Sequence, residues 1–79
     1  MIDLFHRIVD AGSARVRRHV VDRELVEAVR FRNIDFDGPA ADFAKLGGST
    51  VPALWDGERL SVGADAVIAR LDALKDVGR

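Results

Sequence analysis

The sequence predicts an α/β fold in which a four-stranded mixed sheet is flanked by helices. A segment of helical spacing lies between two short apolar runs, which predicts a β-α-β unit with parallel strands and a right-handed crossover. The dipeptide Asp56-Gly57 lies between two further runs and is a strong signal for an antiparallel β-hairpin. In the final segment, apolar residues recur every three or four positions, as they do on one face of a helix.

The first half of the chain predicts a strand, a helix and a second strand. The first strand is expected over residues 2–8, and Asp10 and Ser13 after it are both good N-caps for a helix. The helix is expected over residues 14–24, and the strand over 26–34 alternates with period two. The residues expected on the apolar sides of these elements are Leu4, Phe5, Val16, Val20, Val21, Val29 and Phe31, with Arg30 and Arg32 on the other side of the second strand.

The second half predicts a short helix, the hairpin and a last helix. The turn Asp37-Gly38-Pro39 leads into the short helix, whose apolar contacts are Phe43 and Leu46 and which ends at Gly47-Gly48. The predicted order is therefore β-α-β-α-β-β-α. The remaining expected bounds are 51–55 and 59–62 for the hairpin strands, Gly63 or Ala64 for the start of the last helix, and 77–79 for its frayed end.

The core is expected to form where the apolar faces of these elements meet. Most of it is predicted to come from Val16, Val20, Val29, Phe31, Leu54, Val67, Ile68 and Leu71. The only tryptophan, Trp55, is expected to be half-buried in the sheet, whereas an exposed Trp55 would indicate a partner surface.

Length and composition indicate one small domain over residues 1–79. So short a chain buries only about 60% of its unfolded surface, so that a homodimer could supply further burial. The net charge of −1 disfavours a nucleic-acid partner. No apolar run predicts a membrane span or a signal peptide, so the cytoplasm is the expected compartment. His6 and His19 are too few for a zinc site and are expected at the surface or an edge.

Several short motifs carry a resemblance that extends over nearly the whole chain. They are Phe5-His6-Arg7 followed by Asp10-Ala11-Gly12-Ser13, then Ser13-Ala14-Arg15-Val16-Arg17, Thr50-Val51-Pro52-Ala53-Leu54 followed by Asp56-Gly57, and Val62-Gly63-Ala64-Asp65. In this order they resemble the glutaredoxins and the N-terminal domain of glutathione transferases. The last motif is similar to the Gly-Gly-x-x-Asp element of glutaredoxins, although it lacks the second glycine and its spacing is one or two residues off.

The resemblance implies a thioredoxin-like (glutaredoxin-like) fold and a ligand cleft. It implies a cis bond before Pro52, with the N–H and C=O of Val51 free to pair with an extended peptide such as glutathione. It further implies that Arg7 lies near a ligand carboxylate, that the last helix begins at an anion site, and that Asp65 receives an amino group. The ligand-binding residues expected on this basis are Arg7, Thr50, Val51, Pro52, Gly63, Ala64 and Asp65. For Arg7 and Asp65 the alternatives are a surface arginine and a carboxylate that stabilises the helix dipole.

The chain differs from this family at the positions of the family's catalytic residues. No cysteine occurs in the 79 residues, so the chain supplies no thiolate to attack a disulfide. Asp10 stands at the position of the nucleophilic cysteine and Ser13 at that of the second cysteine. Both are interpreted first as helix caps, and only second as a general base and as a hydroxyl that contacts a thiolate.

Three functions therefore remain open from the sequence. The first is a non-redox binding domain for glutathione, a peptide or a protein, with no cofactor other than glutathione as a ligand. The second is a minimal glutathione-transferase-like enzyme that uses Ser13. The third is a structural or assembly module.

Overall fold

The computed structural model describes the backbone of residues 2–77 and the side chains of residues 2–75. Its elements follow the predicted order β-α-β-α-β-β-α. They are β1 (Ile2–His6), α1 (Ala11–Asp22), β2 (Val29–Asn33), α2 (Asp37–Lys45), β3 (Ala53–Trp55), β4 (Leu60–Val62) and α3 (Ala64–Val77). The sequence predicts a frayed carboxyl end over residues 77–79. Of these, residues 78–79 lie outside the described residues.

The sheet is mixed and has four strands in the order β2-β1-β3-β4, which confirms the predicted sheet. β1 pairs in parallel with β2, and Leu4 lies opposite Phe31. The other two pairings, β1 with β3 and β3 with β4, are antiparallel. Because Phe5 is paired with Ala53, and Ala53 with Val62, the carboxyl ends of β1 and β4 lie at the same end of the sheet as the start of β3.

One face of the sheet is covered by α1 and α3 and holds the larger core cluster. Ile68 is partly buried and packs against this cluster. Neighbouring side chains of a strand point to opposite faces, so Leu4 enters this cluster and Phe5 the opposite one. The buried members are Leu4, Val16, Val20, Val29, Leu54, Val67 and Leu71, which include most of the predicted core.

Two residues that were expected on the apolar side are exposed instead. Phe31 is 36% exposed because β2 is the outer strand of the sheet and has a neighbouring strand on one side only. Its ring packs edge-on against His6. Val21 is 60% exposed because it lies one residue, about 100° of helix rotation, beyond the buried Val20.

The opposite face is covered by α2, whose Phe43 is the centre of a smaller cluster with Phe5 and Ala53. The rings of Phe5 and Phe43 stack with their centroids 4.7 Å apart. Gly48 lies directly against this stack, because a Cβ atom at that position would overlap the Phe43 ring. The chain after α2 can therefore pass over Phe43 only because residue 48 has no side chain.

The element bounds differ from prediction at both ends of α1. The helix begins at Ala11, three residues earlier than expected, because Asp10 and not Ser13 caps it. After α1, Glu24 adopts a positive φ of 57° and the Leu25 N–H bonds to the Val20 carbonyl, so that the chain turns before β2 begins at Val29.

The hairpin between β3 and β4 is secured by Asp56. Its Oδ1 accepts hydrogen bonds from the backbone N–H groups of Glu58 and Arg59, and its Oδ2 accepts one from Arg70 on α3 at 2.7 Å. These bonds, the two backbone ones first, lower the pKa of Asp56 to about 2. The predicted turn thus also attaches the hairpin to α3.

Among the described residues, no helix is both long enough and apolar enough to cross a membrane.

We expect Gly48→Ala to destabilise the domain by about 1–3 kcal/mol, because the added methyl group displaces the Phe43 ring from its stack. Gly38→Ala is the matched control. Gly38 lies in α2 with no atom within 4 Å of the added Cβ, so this change should stabilise the domain by about 0.4–1 kcal/mol. Urea denaturation of both variants measures the difference, and equal midpoints would contradict the packing described here.

Candidate functional site

The sequence-predicted site residues come together at one end of the sheet. Here the loop after β1 enters α1, the chain enters β3 at Pro52, and α3 begins after Gly63. We call this region the Pro52 junction and define it as residues 7–13, 50–52 and 63–65.

Asp10 is the N-cap of α1, as its first interpretation predicted. Its Oδ2 accepts a hydrogen bond from the Ser13 N–H at 2.6 Å. Hydrogen bonding from Ser13, through its side chain first and its backbone second, holds the pKa of Asp10 below its ordinary value of 3.8. The carboxylate is therefore used to begin the helix.

Ser13 is fully buried and its hydroxyl has a structural partner. Its Oγ accepts a hydrogen bond from the backbone N–H of Arg7 at 3.2 Å. A hydroxyl in this position joins the first turn of α1 to the chain that leaves β1, and it presents no surface to a ligand.

Arg17 is a residue of the site that the sequence analysis missed. Its Nη1 donates to the Arg7 carbonyl at 3.0 Å and lies 3.1 Å from Nδ1 of His6, and its Nη2 donates to the Ile8 carbonyl at 3.3 Å. The guanidinium therefore holds three consecutive residues at the end of β1. The sequence does contain a signal for Arg17. It follows Ser13 by four residues, and this spacing places both residues on the same side of α1.

His6 is buried at the end of β1, which lies between two strands, so the expectation that it lies at the surface or an edge is wrong. Since Arg17 can only donate, Nδ1 of His6 accepts and the ring proton is assigned to Nε2. Burial, and then the nearby charge of Arg17, lower the pKa of His6 below its ordinary value of 6.5, against a smaller effect of Asp35. His19, by contrast, is half-buried and lies 2.9 Å from Asp72 of α3.

The two charged residues expected to contact a ligand are both in ion pairs. Arg7 lies 2.8 Å from Asp35 in the loop after β2, and both side chains are partly exposed. Asp65 lies 2.7 Å from Arg15 of α1 and is 88% exposed. A ligand that used either charge would have to compete with its partner.

Pro52 is the point where the three segments of the junction meet. The Val51–Pro52 peptide bond is cis, as the resemblance implied. A Cβ at Gly12 would lie 3.1 Å from Cδ of Pro52, so the absence of a side chain at Gly12 lets α1 approach the proline ring. Gly63, at φ 94°, donates its N–H to the Pro52 carbonyl and caps α3 by accepting from the Val67 N–H.

Val51 has no backbone partner within the described chain. Continuing the register of β1 and β3 beyond the Phe5–Ala53 pair would place Arg7 opposite Val51. The Arg7 N–H is instead bound by Ser13, and its carbonyl by Arg17. The pairing of β1 with β3 therefore stops at Phe5, and the N–H and C=O of Val51 remain available.

Several exposed apolar side chains lie at this end of the sheet. Val9 in the loop before α1 is 85% exposed and Ile8 beside it is 60% exposed. Val62, the last residue of β4, and Phe36, just before α2, are also exposed at this end of the sheet. Thr50, also exposed, precedes Val51. This end of the sheet thus carries exposed apolar side chains, and the charges of Arg7 and Asp65 are paired.

A scan of the chain against models of protein families gives no match, and searches of curated proteins and of solved structures also give none. Within residues 2–75, no group of three or more histidine, aspartate or glutamate side chains is arranged to hold a metal ion.

The buried His6 makes stability depend on pH near neutrality. Its pKa is lower in the folded state than the ordinary 6.5 of the unfolded chain, so its contribution is complete above that pH and is lost as the pH falls towards the folded value. We expect the free energy of unfolding to fall between pH 7.5 and pH 5 by more in the wild type than in His6→Gln. His19→Gln serves as the control and should retain the fall. Identical pH profiles for wild type and His6→Gln would show that His6 is not held neutral.

Proposed function

We propose that this chain is a non-catalytic binding domain with a thioredoxin-like fold, and that Val51 receives an extended peptide segment as an added strand. The observation that carries the proposal is the unpaired backbone of Val51, opposite the Arg7 groups that Ser13 and Arg17 already occupy. A segment that lies beside Val51 would complete the hydrogen bonds that β1 does not make.

The arrangement of the elements supports the thioredoxin-like part of the proposal. The strand order is β2-β1-β3-β4, α1 and α3 cover one face, and α2 covers the other. Pro52, just before β3, lies against the first turn of α1 at Gly12.

The surroundings of Val51 favour a peptide with apolar side chains over glutathione. Glutathione offers mainly charged groups, and the residues expected to bind them, Arg7 and Asp65, are already in ion pairs. The exposed Ile8 and Val9 instead offer contact area to apolar side chains. Glutathione is thus the smaller and weaker ligand of the same strand end.

The site does not favour catalysis. The sequence contains no cysteine, the hydroxyl of Ser13 is buried and bonded, and Asp10 caps its helix. The two positions that would carry a glutathione-dependent reaction in the glutaredoxin family, Asp10 and Ser13, are therefore occupied by groups with structural roles.

The experiment is a titration of ¹⁵N-labelled protein with a capped pentapeptide of alternating valine and threonine, and separately with reduced glutathione. We expect the peptide to shift the amide signals of Val51, Ile8 and Val9, with an affinity on the order of millimolar, roughly −4 kcal/mol. The peptide should cause larger shifts than glutathione at equal concentration.

Two matched variants test where the peptide binds. Val9→Asp places a charge in the exposed loop of the Pro52 junction and should weaken peptide binding about tenfold or more. Val26→Asp changes a valine that is also exposed but lies in the turn before β2, and should leave the affinity unchanged. Equal weakening by both variants, or no shift near Val51 with either ligand, would contradict the proposal and favour an assembly role.

A further inference from the structure

A second concave site lies on the α2 face of the sheet, away from the Pro52 junction. The short α2 covers only part of this face and leaves a pocket of about 260 Å³ beside its carboxyl end. We call it the α2 pocket. Its apolar surface comes from Phe5, Leu46 and Trp55, and its charged residues are Asp3, Arg30, Arg32, Asp42 and Lys45.

Four of the charged residues of the α2 pocket, Arg30, Asp3, Arg32 and Asp42, form a chain of alternating sign. Arg30 binds both carboxylate oxygens of Asp3, at 2.7 and 3.2 Å. Arg32 binds Asp42 at 2.6 Å but approaches Asp3 only to 4.0 Å, and its guanidinium carbon lies 5.7 Å from the centre of the Phe5 ring. Hydrogen bonding to Asp3 raises the pKa of Arg30, and hydrogen bonding to Arg32 lowers the pKa of Asp42.

The pocket keeps positive charge and donors that these pairs do not use. Three cationic side chains face two carboxylates. Arg30 bonds through Nε and Nη2, so its Nη1 makes no hydrogen bond within the described residues, and Nη1 of Arg32 has only its 4.0 Å ion pair with Asp3. Lys45 likewise has no hydrogen-bond or ion-pair partner among the described side chains. One further anion would neutralise the pocket, and an arginine fork binds a carboxylate well.

We propose that the α2 pocket binds a small aromatic carboxylate. The carboxylate bonds to Lys45 and to the unused guanidinium nitrogens, and the ring packs on Trp55 and Leu46. The volume sets the size, because 260 Å³ lies just below the usual range of small-molecule sites and fits a single ring with its carboxylate. Asp3 and Trp55 pair two residues before Phe5 on β1 and two residues after Ala53 on β3, so this end of the pocket points away from Val51 along the strands.

Benzoate is the probe, and Trp55 is the reporter because it is the only tryptophan in the chain. We expect benzoate to produce a saturable shift of the Trp55 indole N–H signal and of the Lys45 and Leu46 amides, with millimolar affinity. Benzamide has the same shape without the charge, and inorganic phosphate has charge without the ring. Both should bind at least about fivefold more weakly than benzoate.

Lys45→Gln removes the unpaired cation from an exposed position and should weaken benzoate binding at least about fivefold. Arg18→Gln, which alters an 85% exposed arginine of α1, is the control and should bind benzoate as the wild type does. Circular dichroism establishes that both variants are folded. A Trp55 signal that does not saturate with benzoate, equal binding of phosphate, or undiminished binding by Lys45→Gln would each overturn the proposal.

Discussion

The Pro52 junction depends on how the two backbone groups of Arg7 are bonded. A residue at the end of β1 would ordinarily pair with the next strand, but here Ser13 binds its N–H and Arg17 binds its carbonyl. Both side chains come from α1, so the helix fixes the loop after β1 and at the same time ends the sheet pairing. The free backbone of Val51 is therefore a consequence of how α1 begins, and it needs no further element to expose it.

The electrostatics of the molecule follow a related pattern, in which most charges are satisfied within the fold. Asp56 joins the hairpin to α3, and its low pKa reflects the backbone N–H groups that it accepts. Arg7 and Asp65 are paired with partners from other elements. The peptide binding that we propose at the junction accordingly uses backbone groups and apolar side chains, whereas the α2 pocket retains positive charge through Lys45. The two sites differ in the ligand chemistry that they favour.

The sequence predicted those features that depend on local pattern. The hairpin at Asp56-Gly57, the cap at Asp10 and the buried stripes of α1 and α3, apart from Val21, are set by residues close together in the chain and were found. The exposure of Phe31 depends on which strand lies at the edge of the sheet, and the burial of His6 depends on Arg17 and on the packing of α1. The contact of Gly12 with Pro52 joins positions forty residues apart. Such properties follow from the tertiary arrangement. The spacing of apolar residues and the presence of a capping residue do not predict that arrangement.

Amide hydrogen exchange of the free domain tests the central claim most directly. The Arg7 N–H should be protected, because it donates to the buried Ser13 hydroxyl, and the Leu54 N–H should be protected, because β3 lies between two strands. The Val51 N–H, only three residues from Leu54, should exchange rapidly because it has no partner within the described chain. Protection of Val51 equal to that of Leu54 would show that its backbone is already paired, and the proposed peptide site would then not exist.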